Sequence, residues 1–319
     1  MRGLRPAKTG RRLMRLRPPN LEELRHALAT ANARGVPVTG WDLHALNTLI
    51  AHRPEDMTAT VETGMPLAQL QQALARQNQW LPLDPPFPTK TTIGALLAGN
   101  HSGPRRFGFG TVRDWLIGIR VVLADGKIVK AGGQVVKNVA GFDLCKLFVG
   151  SHGTLGIIVE ATFKLLPQPQ AECFLQRTCV TLQEAAALLE QIWKSSLQPS
   201  VLDLHRLPNA PLTLVVGLSG PTEDVTAQRA TLATLGVRDE TNLSYDAVFH
   251  TLPSRKLTVA PSAVISTLEQ LGATSFVARA GNGVIAHASG VATPANLPSP
   301  VLQQRVKDAF DPKHTFPSL

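Results

Sequence analysis

The chain has 319 residues, 44% hydrophobic and 17% charged, which exceeds one ordinary core and predicts two domains of a globular protein. No run approaches 18 uninterrupted apolar residues, so no membrane-spanning helix is expected. The formal charge of +9 is concentrated in residues 1–17; taking their seven Arg and Lys from the 32 basic residues leaves 25 against 23 acidic, which argues against a nucleic-acid surface.

That basic segment (Arg2, Arg5, Lys8, Arg11, Arg12, Arg15 and Arg17) lacks the apolar centre of a secretory signal, and Pro6 and Gly10 weaken an amphipathic transit helix. A solvated or partner-binding terminus is expected. Cys145, Cys173 and Cys179 form no CxxC pair, which fits a reducing, cytoplasmic compartment and gives neither a disulfide framework nor an iron–sulfur pattern. The nine histidines show no HxH or HExxH spacing, so no metal site is predicted.

Residues 20–35 predict a helix capped by Asn20, with Glu23 placed for a capping box, an apolar stripe of Leu21, Leu24, Ala27, Leu28 and Ala31, and Gly35 as terminator. A short strand follows at 36–38, then a loop and a short strand through Pro54, a strand at 59–64, and a helix from Pro66. After the DPPFP turn, TTIGALLAGN predicts a short helix closed by Gly99 or Asn100. LIGIRVVLADGKIVKAGG predicts a hairpin around Asp125-Gly126, a pair suited to a type I′ turn. KNVAGFDLCKLFVG reads as polar loop and short helix. TLGIIVEATFKLLP reads as a strand pair leaving through PQPQ, which is the expected domain boundary.

Beyond it the pattern is strand (ECFLQRTCVT), helix (LQEAAALLEQIWKSS), two strands (VLDLHRL, LTLVVGLSG) and a helix capped by Thr222. Residues 240–272 carry no clear signal. SFVARA and GVIAHASG predict a hairpin over Gly281-Asn282-Gly283, and a terminal helix covers VLQQRVKDAFDPKH. The β-α-β-β-α-β order predicts a ferredoxin-like antiparallel sheet. The fold class is therefore α+β.

The densest chemistry lies between Leu81 and Pro167, where glycine recurs at turns beside Pro, Thr, Ser and Asn, with Arg and Lys between apolar strands. That composition suits a backbone cradle for a large anionic cofactor, because glycine lets the main chain approach and inward N–H groups bind phosphate oxygens. Neither GxxxxGK[ST] nor a GxGxxG between strand and helix is present, and Gly150, Gly153 and Gly156 have the wrong spacing for a dinucleotide fingerprint.

The run LPLDPP, then TTIGALLAGNHSGPRRFGFGTVRDWLIGIRVVLADG, then KNVAGFDLCKLFVGSHGTLGIIVEATFKLLPQP, resembles the FAD-binding domain of the vanillyl-alcohol-oxidase/PCMH flavoprotein family over residues 13–168. GPRR…GTVRDWLIG and VVKNVAGFDLCKL look most like its glycolate oxidase GlcE-type subunits. The resemblance implies a PCMH-type FAD-binding domain at 18–168, in subdomains at 18–80 and 81–168, followed by a smaller ferredoxin-like cap or substrate domain at 169–319. It also implies FAD contacts at Thr39, Gly40, Pro85, Thr91, Thr92, Ile93, Gly94, Ala95, Asn100, Ser102, Gly103, Arg105, Gly153, Gly156, Ile157 and Ile158. The implied partners are a sister flavin subunit, an iron–sulfur subunit and a small 2-hydroxy acid substrate, in a cytoplasmic complex that is at most peripheral to the inner membrane.

Physical chemistry adds candidates beside these. Arg105, Arg106 and Lys137 are possible cations for a pyrophosphate or a reduced flavin, and an arginine here could instead grip a substrate carboxylate; as loop cations they could equally be solvated. Asp114 and Asp143 fit structural caps or ion pairs. His101 is the histidine best placed for flavin or substrate, and His152 fits an outward position. No catalytic base is identified. Where the family carries a GGGT- or GGGS-like pyrophosphate loop, this chain reads VPVTGWDLHALN, keeping only Thr39-Gly40 and placing Trp41 where close backbone approach is needed. His44 lies near where some relatives attach flavin, and without the glycine run it takes no such role. Two readings stay open: an FAD-binding oxidoreductase subunit, or an assembly subunit that kept the fold and lost the cofactor. An independent oxidase using O₂ is a third, with no recognisable catalytic base behind it.

Overall fold

The computed structural model describes residues 14–133, 144–272, 275–288 and 299–318. The first half runs β1 (Met14–Leu16), α1 (Leu21–Arg34), β2 (Val38–Trp41), β3 (Leu49–Arg53), β4 (Thr58–Glu62), α2 (Leu67–Ala75), β5 (Gln79–Trp80) and α3 (Ile93–Gly99). It continues with α4 (Arg106–Phe109), α5 (Val112–Trp115), β6 (Leu116–Val122), β7 (Ile128–Gly132), α6 (Leu144–Phe148), β8 (Ile157–Lys164) and β9 (Leu166–Pro167). Asn20 Oδ1 accepts the Glu23 amide at 2.9 Å, and Gly35, at φ 62°, ends α1 with its amide on Ala31 and Asn32. Leu24, Leu28 and Ala31 are the buried stripe, as the sequence pattern requires.

The five-stranded antiparallel sheet has the order β3-β4-β8-β6-β7. It crosses the subdomain boundary expected near residue 80, because β4 pairs with β8 from Thr58↔Lys164 to Glu62↔Glu160. One core lies between this sheet and α2, α3 and α6; a second joins α1, the parallel pair β1-β2 and the outer sheet face. The Asp125-Gly126 turn is not type I′. Only Gly126 has positive φ (81°), and Leu123 and Lys127 close a three-residue loop in which Asp125 Oδ1 accepts the Lys127 amide.

The second half runs β10 (Ala171–Cys179), α7 (Leu182–Lys194), β11 (Val201–Arg206), β12 (Leu212–Gly220), α8 (Thr222–Thr234), β13 (Asp239–Glu240), α9 (Ser244–Phe249) and β14 (Arg255–Thr258). It ends with α10 (Val264–Leu271), β15 (Phe276–Arg279), β16 (Val284–His287) and α11 (Pro300–Phe310). Its sheet order is β13-β10-β12-β11-β15-β16-β14. The first four are the ferredoxin-like arrangement, and the unread stretch 240–272 supplies α9, the edge strand β14 and α10. Thr222 is the first residue of α8 rather than its cap, a place taken by Pro221.

One sheet face, with Leu202, Leu204, Leu214, Val216, Ala278 and Ile285, packs under α7, α8 and α10. The opposite face carries Asp203, His205, Val277 and Arg279 and is covered in part by α9. The terminal helix α11, grouped by sequence with the second half, lies on the first. Lys307 Nζ donates to Thr154 O (2.7 Å) and to Asp311 Oδ2 (2.6 Å), and Phe310 packs against Phe148. The tail also hands Val38 a strand-like partner at Thr315 O (2.7 Å).

Candidate functional site

Two clefts flank the segment that runs from α3 into the loop after it. The first, of about 280 Å³, is lined by residues of β1, the β2–β3 loop, the end of β4, α3 and the 151–158 loop. Seven of its sixteen lining residues are small (Gly64, Gly94, Ala95, Ala98, Ser151, Gly153 and Gly156), which lets a ligand approach the main chain at those positions. Gly64 has no alternative: a Cβ there would stand 1.8 Å from Leu43 O. Gly153, at φ 74°, needs glycine for its backbone as well as its space.

The hydrogen bonding decides what these walls can offer. The first three amides of α3 are already used, Ile93 on Met65 O, Gly94 on Thr63 O and Ala95 on Thr92 Oγ1. Thr63 Oγ1 donates to Ile158 O and Ser151 Oγ to Phe148 O, whereas Thr92 accepts at its oxygen and keeps its proton for an outside acceptor. Arg15 supplies a cation, brought beside Gly40 by the parallel β1-β2 pairing. Asp42, near Arg17 and hydrogen-bonded to His44, has its carboxyl held below the usual range by that histidine. A main-chain wall, one arginine and a donor hydroxyl fit the anionic and ring portions of FAD.

One feature narrows the fit. The Trp41 ring lies over Gly153, where a Cβ would be 2.3 Å from its Cζ2, and meets Phe316 of the C-terminal tail edge-on at 6.0 Å.

The second cleft, of about 320 Å³, lies between the halves. Pro85, Pro86, Phe87, His101 and Ser102 border it from the first half, and His250, Lys256, Val277, Arg279, Val284 and Ala286 from the second. Arg279 is buried and pairs with both Asp203 and Asp246; Tyr245 donates to Asp203 at 2.6 Å. Burial pushes the Asp203 carboxyl up to about 6, while Asp246 is held low by Arg279 and His250 against its own burial. His250 Nδ1 lies 2.8 Å from Asp246 O and 3.3 Å from its carboxylate, which raises the imidazole pKa. Burial, then Lys256 and two other histidines, lowers that of His101, whose ring lies against Gly99.

Of the residues implied as FAD contacts, Thr92, Gly94, Ala95, Gly153, Gly156, Ile157 and Ile158 meet at the first cleft, and Pro85 and Ser102 at the second. Ile93 points into the core and Thr91 donates to Pro86 O. Thr39, on β2, reaches toward Met14 O, and Gly40 lies beside Arg15. Gly103 is pressed against Asp84, where a Cβ would be 1.8 Å from its carbonyl oxygen. Asn100 ends α3 at φ 47°, with its Oδ1 buried and unpartnered among the described residues; Ala98 before it lines one cleft and His101 after it the other.

Arg105 is engaged by side chains of both halves. It makes a bidentate pair with Glu172 (2.9 and 2.6 Å), lies 3.4 Å from Asp84 and stacks between Trp80 and Phe174, tying β10 to the first half. Arg106 reaches Ser102 Oγ at 3.4 Å. Asp114 caps α5 through Thr111, and His152 is exposed. Lys137 and Asp143 lie outside the described residues. Sequence reasoning missed Arg15, Thr63, Gly64 and Ser151 at the first cleft and all six second-half residues at the other.

Residues 40–132 match the FAD binding domain family. The chain is 39% identical over 168 residues to the glycolate oxidase subunit GlcE of Escherichia coli K12, covering 52% of this chain and 47% of that protein. It is 32% identical over 200 residues to a D-lactate dehydrogenase of Archaeoglobus fulgidus, covering 57% and 45%. It thus spans about half the length of these curated relatives. Among solved structures, an alkyldihydroxyacetonephosphate synthase superposes with a TM-score of 0.71 over 94% of this chain and 75% of that one, at 19% identity, which is a likeness of fold. The PCMH-type resemblance and the expectation of FAD are both borne out.

Proposed function

We propose, from the premise that this chain carries an FAD binding domain of the PCMH type, that it acts as a subunit of an FAD-dependent oxidoreductase for 2-hydroxy acids. The observation that carries this reading is the main-chain-walled first cleft, assembled around Gly94, Ala95, Gly153 and Gly156 and formed in part by the segment that matches the family. Glycolate and lactate, in the names of the two relatives, share the 2-hydroxycarboxylate group. When bound, FAD supplies the two-electron acceptor such a substrate needs. The protein's part is to seat it: Arg15 faces its negative charge, the Thr92 hydroxyl donates, and Ile157 and Ile158 give apolar cover. The proposed partners are a sister flavin subunit and an iron–sulfur subunit, which would take the electrons from a bound FAD, with the assembly cytoplasmic and peripheral to the membrane through its partners. No helix among the described residues is long and apolar enough to cross one.

A second reading is favoured by Trp41. A ring seated on Gly153 and backed by Phe316 narrows the cleft, and if it stands where a pyrophosphate would lie it suits an assembly subunit with weakened cofactor binding.

The absorption spectrum of the purified protein separates them. Flavin bands near one per chain support the first reading, and protein that stays colourless after FAD is added supports the second. Gly94→Trp is expected to weaken FAD binding about a hundredfold or more, since the new ring must enter the cleft. Unchanged affinity with an unchanged melting temperature would remove the cradle from Gly94.

A further inference from the structure

The second cleft combines one lysine without a direct carboxylate partner among the described residues, Lys256, with apolar lining residues. Cross-strand register puts Lys256, Ala286 and Val277 in one row across β14, β16 and β15, on the face opposite α7, α8 and α10 and covered in part by α9. Val284 and Arg279 form the adjacent row on that face. The carboxylates nearby, Asp203 and Asp246, are both committed to Arg279. Lys256 and Arg106 have no carboxylate within 4.0 Å among the described residues. Although Lys256 as a residue is exposed, its ammonium is pushed below the usual lysine range, first by burial and then by the like charges of Arg106 and Arg279. Arg279 is compensated by its two carboxylates, so Lys256 is the lining cation left to pair with a bound anion.

We infer that this cleft holds a carboxylate-bearing ligand with an aliphatic chain, its carboxylate at Lys256 beside His101 or His250 and its chain against Val277, Val284 and Ala286. The inference rests on the oxidoreductase reading for the identity of the ligand as the 2-hydroxy acid substrate, and it deepens that reading by size. A cleft of about 320 Å³ has room for about ten groups of water size, far more than glycolate fills. Val277 and Val284 are themselves nearly buried, so the gain comes from the ligand's own hydrocarbon leaving water against Val284 and Ala286, and the preferred acid carries a branched chain of several carbons.

Binding of the corresponding 2-oxo acids, which need no turnover, tests this by titration calorimetry on the purified protein. 4-Methyl-2-oxopentanoate is expected to bind about tenfold more tightly than glyoxylate. Lys256→Met should weaken the larger acid about tenfold, the share of one charge-assisted contact, while Lys256→Arg keeps most of the affinity. Ala286→Phe should erase the preference for the larger acid, with melting temperatures reporting that each variant is folded. Equal affinities for the two acids, or a Lys256→Met variant that binds like the parent, would overturn the assignment. Protein that stays colourless after FAD is added but still binds the acid through Lys256 supports the cleft and rejects the flavin reading. Flavin-loaded protein whose affinity ignores Lys256 rejects the cleft alone.

Discussion

The first cleft is walled by glycine, alanine and serine main chain, whereas the second is floored by charged and apolar side chains on three neighbouring strands. The first therefore offers shape and close approach, with most of its donors already used inside the protein. The second offers the Lys256 ammonium beside a buried Arg279 that is paired with two carboxylates. A large cofactor suits the former because its affinity is spread over many small contacts. A small anion suits the latter because it must be held by a few strong ones.

The comparison breaks most severely at the C-terminal tail, which braces the first cleft from behind. Lys307 is 2% exposed and Asp311 fully buried, and Asp311 also accepts the amides of Thr315 and Phe316. Asp311→Ala leaves the ammonium buried without its counter-charge and should cost about 3–5 kcal/mol in denaturant unfolding. It should also release Phe316 from Trp41, so any change in ligand binding should fall on FAD and spare the second cleft. Equal loss of carboxylate binding in a variant that remains folded would show that the clefts are not independent.

The asymmetry also explains which site was legible in the sequence. TIGA and GSHGTLG announce themselves because a glycine that must clear a neighbouring carbonyl, or take φ near 74°, is a local demand written at that residue. Trp41 was legible for the same reason. The pairing of Arg105 was not legible because its partner Glu172 is 67 residues away, and a loop arginine looks the same whether it faces phosphate or a strand of the other half. The row Lys256–Ala286–Val277 exists only through register between strands, one of them in the stretch without clear periodicity. The Asp-Gly pair located its hairpin and not its turn type, since loop length is fixed by the pairing of Leu123 with Lys127.

A smaller effect probes the network beneath the second cleft. His205 is buried, stacks on Tyr245 with ring centroids 4.3 Å apart, and has an unpartnered Nδ1 among the described residues. Burial, and then the Arg279 charge, push its pKa down to about 4. Between pH 4 and 6.5 the unfolded chain binds the proton and the folded one does not, so stability should rise with pH across that window, by on the order of 2–3 kcal/mol. His205→Phe keeps the ring stack and removes the proton. Its unfolding midpoint should lose this acid dependence and match or exceed the parent at pH 7. An unchanged pH profile would assign the acid sensitivity to other groups.

The smallest expected effect is the most discriminating for the first cleft. Trp41→Ala removes a half-buried ring from between Gly153 and Phe316, and should lower stability by about 1–3 kcal/mol. If the ring fills ligand space, FAD affinity should rise about tenfold as stability falls, because the main-chain wall at Gly153 becomes approachable. A plug thus moves affinity and stability in opposite directions. A ring that serves as a wall, with the isoalloxazine or adenine stacked on it, moves both downward together. Measuring FAD binding and unfolding on the same preparation separates the two, and only the opposite-sign result places Trp41 in the path of the cofactor.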